Sequence, residues 1–193
     1  MTIADAGEPT RRVLVAYASR MGSTQEIATV IGEELGRAGL LVDVLPCADD
    51  PDPTAYDAVV IGSAIYTRRW HKPANRYLKS HLDELAARPT WLFHSGPCGE
   101  GAESEQVAPP PGVAKRAARI GAAPPMTFGG RLETEHATGP ISRWMATNGP
   151  LSGDFRDWAR IRAWAAGIAE GLRSTTPPVG TGHDEQETER TSE

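Results

Sequence analysis

At 193 residues with a formal net charge of −5, the chain is long enough to bury one main core without metal or disulfide staples, and too acidic to bind nucleic acid through bulk charge. Its two cysteines, Cys47 and Cys98, fit neither a CxxC nor a Cys/His metal spacing, and two reduced thiols in a cytoplasmic protein is the expectation. The start, MTIADAGEPTRR, has no apolar core for export, and no apolar run approaches a bilayer's thickness.

The first clear element is Val13 to Tyr17, a short apolar run that reads as a strand buried on both faces. A polar loop follows, and from Thr24 the period changes: Ile27, Ile31 and Leu35 mark one helical face, with Gly39 as the stop. Leu41 to Leu45 and Ala58 to Ile61 read as two further strands. The turn-rich CADDPDPTAYD between them leaves little room for a crossover helix.

After a loop beginning at Gly62, Pro73 suits the first turn of a helix whose apolar face is Tyr77, Leu78, Leu82 and Leu85. Thr90 to His94 is the fourth strand. Glu100 to Gly112 reads as an exposed loop, Val113 to Ile120 as a short helix and Met126 to Phe128 as the fifth strand. Glu133 to Gly153 has no clear pattern. Phe155, Trp158, Ile161, Ala165, Ile168 and Leu172 then recur at helical spacing, with Asp154 placed to cap that helix. Residues 1–10 and 174–193 lack the apolar content to offset ordering and are expected to be flexible tails around a domain at 11–173.

Alternating strands and helices imply a parallel sheet covered on both faces, and such sheets bind ligands beyond the carboxyl ends of their strands. The loops after strands one, three and four are therefore the places to search. The first, Ser19-Arg20-Met21-Gly22-Ser23-Thr24, runs straight into a helix, so hydroxyls and amides converge on a positive helix end suited to phosphate. It matches neither the Walker pattern nor G-x-G-x-x-G, and the same residues would serve as an ordinary N-cap. The second, beginning Ser63-Ala64-Ile65-Tyr66 and continuing through Arg68, Arg69, Trp70 and His71, offers small residues for backbone contact with a planar ring and aromatics to stack on it. Tyr66 is the main stacking candidate and Trp70 the second. The alternative is that these aromatics simply cover sheet edges, with His71 near the start of the next helix. The third, Ser95-Gly96-Pro97-Cys98-Gly99, has amides that a ring edge would meet, although a plain turn uses the same residues.

On these residues the chain resembles the flavodoxin family: YASRMGSTQEIA is similar to its phosphate loop and first helix, and VVIGSAIYTRRWH to its third strand and ring-binding loop. Within that superfamily, S-R-x-G-x-T-x-E-I-A, the G-S-A-I stretch with His71 beyond it, and GDFRDW resemble the menaquinone-dependent protoporphyrinogen dehydrogenases. Two segments depart from the patterns: Met21 stands where many flavodoxins have a hydroxyl, and Pro140 to Leu151 replaces a longer, more basic segment of the dehydrogenases.

The resemblance implies an α/β flavodoxin-like three-layer sandwich, with a five-stranded parallel sheet in the order 2-1-3-4-5 and helices on both faces. It implies flavin mononucleotide (FMN) as cofactor, its phosphate at Ser19 to Thr24, one side of its ring at Ser63 to Tyr66 and its pyrimidine edge at Ser95 to Gly99. The expected activity is that of an oxidoreductase passing electrons through the flavin between a donor and an acceptor, whether small molecule, quinone or protein. A protein-to-protein electron carrier and a flavin-free binding module are the alternatives. His136, Arg143 and Trp144 are candidates for an acceptor rim.

Overall fold

The computed structural model describes residues 10–96, 98, 106–132 and 152–174. Apart from Thr10 and Ser174, the end segments expected to be flexible lie outside the described residues, as do most of the 133–153 stretch and the rim candidates His136, Arg143 and Trp144.

Strand β1 (Arg12–Ala18) is followed by α1 (Ser23–Arg37), β2 (Leu41–Pro46), two single 3-10 turns at Cys47–Asp49 and Pro53–Ala55, and β3 (Ala58–Tyr66). A short return strand β4 (Arg69–Trp70) leads into α2 (Lys72–Ser80) and α3 (Leu82–Ala86). Then come β5 (Thr90–Ser95), α4 (Pro111–Arg119), β6 (Met126–Phe128), β7 (Arg131–Leu132), β8 (Gly153–Asp154) and α5 (Trp158–Ser174). The parallel strands run β2-β1-β3-β5-β6, which is the expected order 2-1-3-4-5. Two additions go beyond it: β4 folds back antiparallel on β3, and β7 and β8 pair as a separate ribbon.

The near-continuous apolar runs of the central strands serve two layers at once, because successive side chains leave a strand on opposite faces. Val13 and Val15 of β1, Val60 of β3 and Phe93 of β5 pack against α1 and α5. Leu14, Ala16, Val59, Ile61 and Leu92 pack on the other side with Tyr77, Leu78 and Leu85 of the α2–α3 layer. Gly32 lets α1 lie close on β2, since a Cβ there would stand 2.5 Å from a Val44 methyl.

Two local expectations are corrected. The helix expected through Leu82 and Leu85 is broken at His81, whose φ of −112° separates α2 from α3. Asp154 does not cap the last helix. It lies in β8, and Phe155 precedes the helix. Asp157 holds the cap position, its Oδ1 accepting from the Arg160 amide at 2.9 Å. The Asp154 carboxylate is taken instead by Arg156, at 2.7 Å from Nε and 2.6 Å from Nη2.

Candidate functional site

From β1 the chain winds outward to β2 and then crosses back to β3, so the β1 and β3 carboxyl ends flank the point where the winding reverses. A cleft of about 300 Å³ opens there, walled by the loops after β1, β3 and β5 and by a fourth segment after β6.

At one end the cleft meets the start of α1. Gly22, the N-cap residue, has φ +85° and offers no side chain to the helix, a backbone state that a side chain would strain. The first backbone bond of the helix runs from the Glu26 amide to the Gly22 carbonyl at 3.0 Å, and the amides before it have no intrahelical acceptor. Ser23 is 91% buried on the cleft wall, and its hydroxyl is buried without a hydrogen-bond partner. Thr24 also lines the cleft, but its hydroxyl is bonded to the Ser95 hydroxyl at 2.8 Å, joining the loops after β1 and β5. Arg20 and Met21 complete this wall, and Ser19 stands outside it.

At the other end, β3 continues to Tyr66 and turns through Thr67 (φ 45°) and Arg68 (φ 60°) into β4, with Ile65 opposite Trp70 and Tyr66 opposite Arg69. Such a two-residue turn needs left-handed backbone at both positions, which favours Asn-Gly. With Thr and Arg the strain is about 1 kcal/mol each. Contacts on both arms hold the turn. The His71 amide reaches the Ala64 carbonyl and the Ser63 hydroxyl, both at 3.0 Å, and Ser63 itself is fully buried and bonded to the Ala64 carbonyl at 2.9 Å.

Ala64, Ile65, Tyr66 and Thr67 face the cleft. Burial raises the Tyr66 phenol pKa against the opposing charge of Arg20, so the ring is neutral at physiological pH. Trp70, the second stacking candidate, lies in the core on the α2 side of the sheet. Its indole N–H donates to His94 Nδ1 at 3.2 Å.

His94 therefore carries its proton on Nε2, 2.8 Å from Thr127 Oγ1, which in turn accepts from the Val107 amide at 3.0 Å. Burial pushes the His94 pKa down to about 4, with the Val107 backbone pulling weakly the other way. The neutral imidazole thus ties the β4 arm to β6 and to the segment leading to α4. His71 sits at the start of α2 with a buried Nδ1 lacking a partner, its pKa lowered by burial and then by Arg20.

Ser95, Gly96 and Cys98 line the cleft, while Pro97 and Gly99 lie outside the described residues. A Cβ on Gly96 would overlap the Ile65 side chain and stand 2.6 Å from its carbonyl oxygen. Burial, helped by the charge of Asp154, pushes the Cys98 thiol up to about 11. It is a neutral S–H and a poor nucleophile at pH 7.

The fourth wall, Gly130, Arg131 and Leu132, was absent from the sequence-derived candidates. Its signal is the Gly129-Gly130 pair directly after the last parallel strand. A Cβ on Gly129 would overlap the Phe155 carbonyl, and one on Gly130 would stand 3.2 Å from both Gly96 Cα and Cys98 Sγ. Arg131 reaches toward α1 and donates to both Glu26 oxygens, at 2.6 and 3.2 Å. Arg156, its side chain 3% exposed, donates to Glu26 at 2.7 Å and lies 4.4 Å over the Trp158 ring. Partial burial pushes the Glu26 carboxyl up, but the two arginines outweigh it and hold it below its ordinary value. The Arg156 hydrogen bonds do the same for Asp154.

Among the described residues, no group of three or more His, Cys, Asp or Glu is placed to hold a metal ion, and no helix is long and apolar enough to cross a membrane. A flavodoxin-domain family model matches residues 14–136. A protoporphyrinogen IX dehydrogenase (quinone) of Escherichia coli K12 is 31% identical over 84 residues, 42% of this chain and 46% of the relative, so the match spans less than half of that relative's length. Among solved structures, a flavodoxin from the domain Archaea superposes with a TM-score of 0.55 at 17% identity, covering 84% of this chain and 99% of its own. Flavodoxin 2 of Bacillus cereus gives 0.55 at 19%, with the same coverage. Rubredoxin oxygen:oxidoreductase of Desulfovibrio gigas gives 0.55 at 18%, over 86% of this chain and 37% of its own.

Proposed function

Since the chain belongs to the flavodoxin-domain family, and FMN is the cofactor that membership indicates, we propose that it is an oxidoreductase holding FMN in this cleft and accepting electrons from a reduced organic donor, in the manner of a protoporphyrinogen dehydrogenase. The observation that carries the flavin placement is the unpartnered, buried Ser23 hydroxyl beside the open amides of α1, in the cleft at the switch point. A buried hydroxyl without a partner costs about 1–3 kcal/mol, and a phosphate oxygen would remove that cost. The partial match to the E. coli dehydrogenase supports the choice of donor class.

In this reading the loop from Ser19 to Thr24 holds the phosphate, with the α1 amides and Ser23 donating and the helix dipole adding its field. The Thr24–Ser95 bond holds two walls in register so that little reorganises on binding. Tyr66 covers one face of the ring, and Gly96 lets the backbone close on its edge. Bound FMN would supply the electron acceptance and release that no side chain here provides. The chain's part is to exclude water, to orient the ring and to keep Cys98 uncharged beside it. Arg20 on the cleft wall favours an anionic donor over another cationic surface.

The test is twofold. Purified protein is titrated with FMN, following absorption and fluorescence quenching, and the loaded protein is then given a reduced porphyrinogen with a quinone or oxygen as acceptor. Bound, quenched flavin and steady-state oxidation of the porphyrinogen support the reading. Flavin that cycles only when a reductase and a protein acceptor are supplied would make the chain an electron carrier, and failure to bind flavin at all would leave a flavin-free module.

A further inference from the structure

The charged network beside the cleft belongs to none of the phosphate-loop residues. Arg131, Arg156, Glu26 and Asp154 are two cations and two carboxylates, joined by bonds of 2.6–3.2 Å that span the chain from α1 to β8 and the residues after it. The two arginines are not equivalent. Arg156 is sequestered: it grips Asp154 with two nitrogens, reaches Glu26 with a third and stacks on Trp158. Arg131 stands on the cleft wall, and its Nη2 lies 3.8 Å from where a Cβ on Gly22 would be, directly over the N-cap of α1.

Resting on the flavin reading above, we propose that Arg131 is a phosphate-positioning residue that exchanges Glu26 for the FMN phosphate, while Arg156 keeps Glu26 paired. A carboxylate in the first turn of α1 competes with a phosphate for the same positive helix end. Left unpaired next to a bound dianion it would repel it, and a half-buried carboxylate that loses its partner gives up part of its pairing energy. Two arginines on one carboxylate avoid both penalties. When Arg131 turns to the phosphate, Glu26 retains the 2.7 Å bond to Arg156 and the charge of the cluster is redistributed rather than stranded. The guanidinium fork matches two phosphate oxygens as well as it matches two carboxylate oxygens. The device makes the site select a phosphorylated flavin over the bare riboflavin, because only the phosphate draws Arg131 away from Glu26.

The experiment compares FMN with riboflavin on the full chain by fluorescence quenching, for the unaltered protein, Arg131→Gln and Glu26→Gln, with circular dichroism to check folding. The ratio of riboflavin Kd to FMN Kd should fall about tenfold or more in Arg131→Gln, as loss of a charged hydrogen bond predicts. It should rise in Glu26→Gln, where Arg131 no longer has the Glu26 carboxylate to leave. A ratio that stays within about twofold in Arg131→Gln, or that fails to rise in Glu26→Gln, overturns the proposal. Should Arg131→Gln not fold, the Glu26→Gln ratio decides alone in the same two senses. An unaltered protein that binds riboflavin as tightly as FMN overturns both the role of Arg131 and the phosphate placement at α1, whereas one that prefers FMN while Arg131→Gln keeps that preference overturns the role of Arg131 alone. One that quenches neither flavin overturns the flavin reading as well.

Discussion

At the α1 end of the cleft, Glu26 is held by arginines 105 and 130 residues away, whereas at the β3–β4 end the wall is a hairpin closed within a few residues of chain. The two ends also differ in character: ion pairs and an open helix terminus at one, Ala64, Ile65, Tyr66 and Gly96 at the other. The charged end is assembled only when the sheet is complete, because β6, β7 and β8 must all be in place before Arg131 and Arg156 reach α1. The apolar end depends on local backbone strain held down by buried contacts at Trp70, His94 and Ser63. Damage to the first should therefore be selective for charge, and damage to the second should be indiscriminate.

The largest effect is expected from Gly96→Val. Its side chain would overlap Ile65 and block the ring end, destabilising the fold by about 3 kcal/mol and barring FMN and riboflavin alike, measured by chemical denaturation and by quenching. A variant that still binds either flavin tightly would show that the two loops do not need to touch.

Next in size is the pH dependence set by His94. Its pKa is about 4 in the folded chain against an ordinary 6.5, so between those values the unfolded chain binds more protons and stability falls as pH falls. From pH 6.5 to 4.5 the loss should be roughly 2 kcal/mol, and His94→Gln should flatten it. Glu26 and Asp154 are also depressed in the folded chain, by the arginines that pair with them. Their contribution is intact above the ordinary carboxylate range and lost only as pH drops below it. Denaturation midpoints from pH 7 downward would separate the two ends as two successive losses.

Arg156→Met should cost about 1–2 kcal/mol, since its partners Glu26 and Asp154 remain 43% and 34% exposed and partly recover solvent. Riboflavin binding should survive it. Tyr66→Ala should weaken FMN and riboflavin together by about tenfold through loss of a ring contact. A change confined to FMN would move Tyr66 from the ring to the phosphate.

Much of this architecture was legible in the residues. The apolar runs Val13–Tyr17 and Ala58–Ile61 could only be buried on both faces, and the 3.6-residue period of Ile27, Ile31 and Leu35 admits one helical face, so a parallel sheet followed, while its strand order was what the resemblance to flavodoxins implied. The loop before α1 stands out because a glycine among hydroxyls at a strand-to-helix junction is the local pattern of an anion site. Less legible were the features set by partners far along the chain. Asp154 looks like a helix cap in sequence and proves to be an ion-pair partner, because β8 pairs with β7 and carries it out of helical geometry. Trp70 looks like a stacking ring and is instead buried, because the turn at Thr67 and Arg68 reverses the strand and directs the indole to His94.

The sequence by itself determined the five parallel strands, the main helices beside them and which loops gather at one edge of the sheet, since each of these depends on periodicity and turn chemistry within about fifteen residues. Only the tertiary structure decided that Arg131 overlooks Gly22, that Arg156 shares Glu26 with it, and that Gly130 closes on Gly96. Those contacts join residues separated by as many as 130 positions, and no local pattern encodes which distant charges the folding of a sheet will bring together.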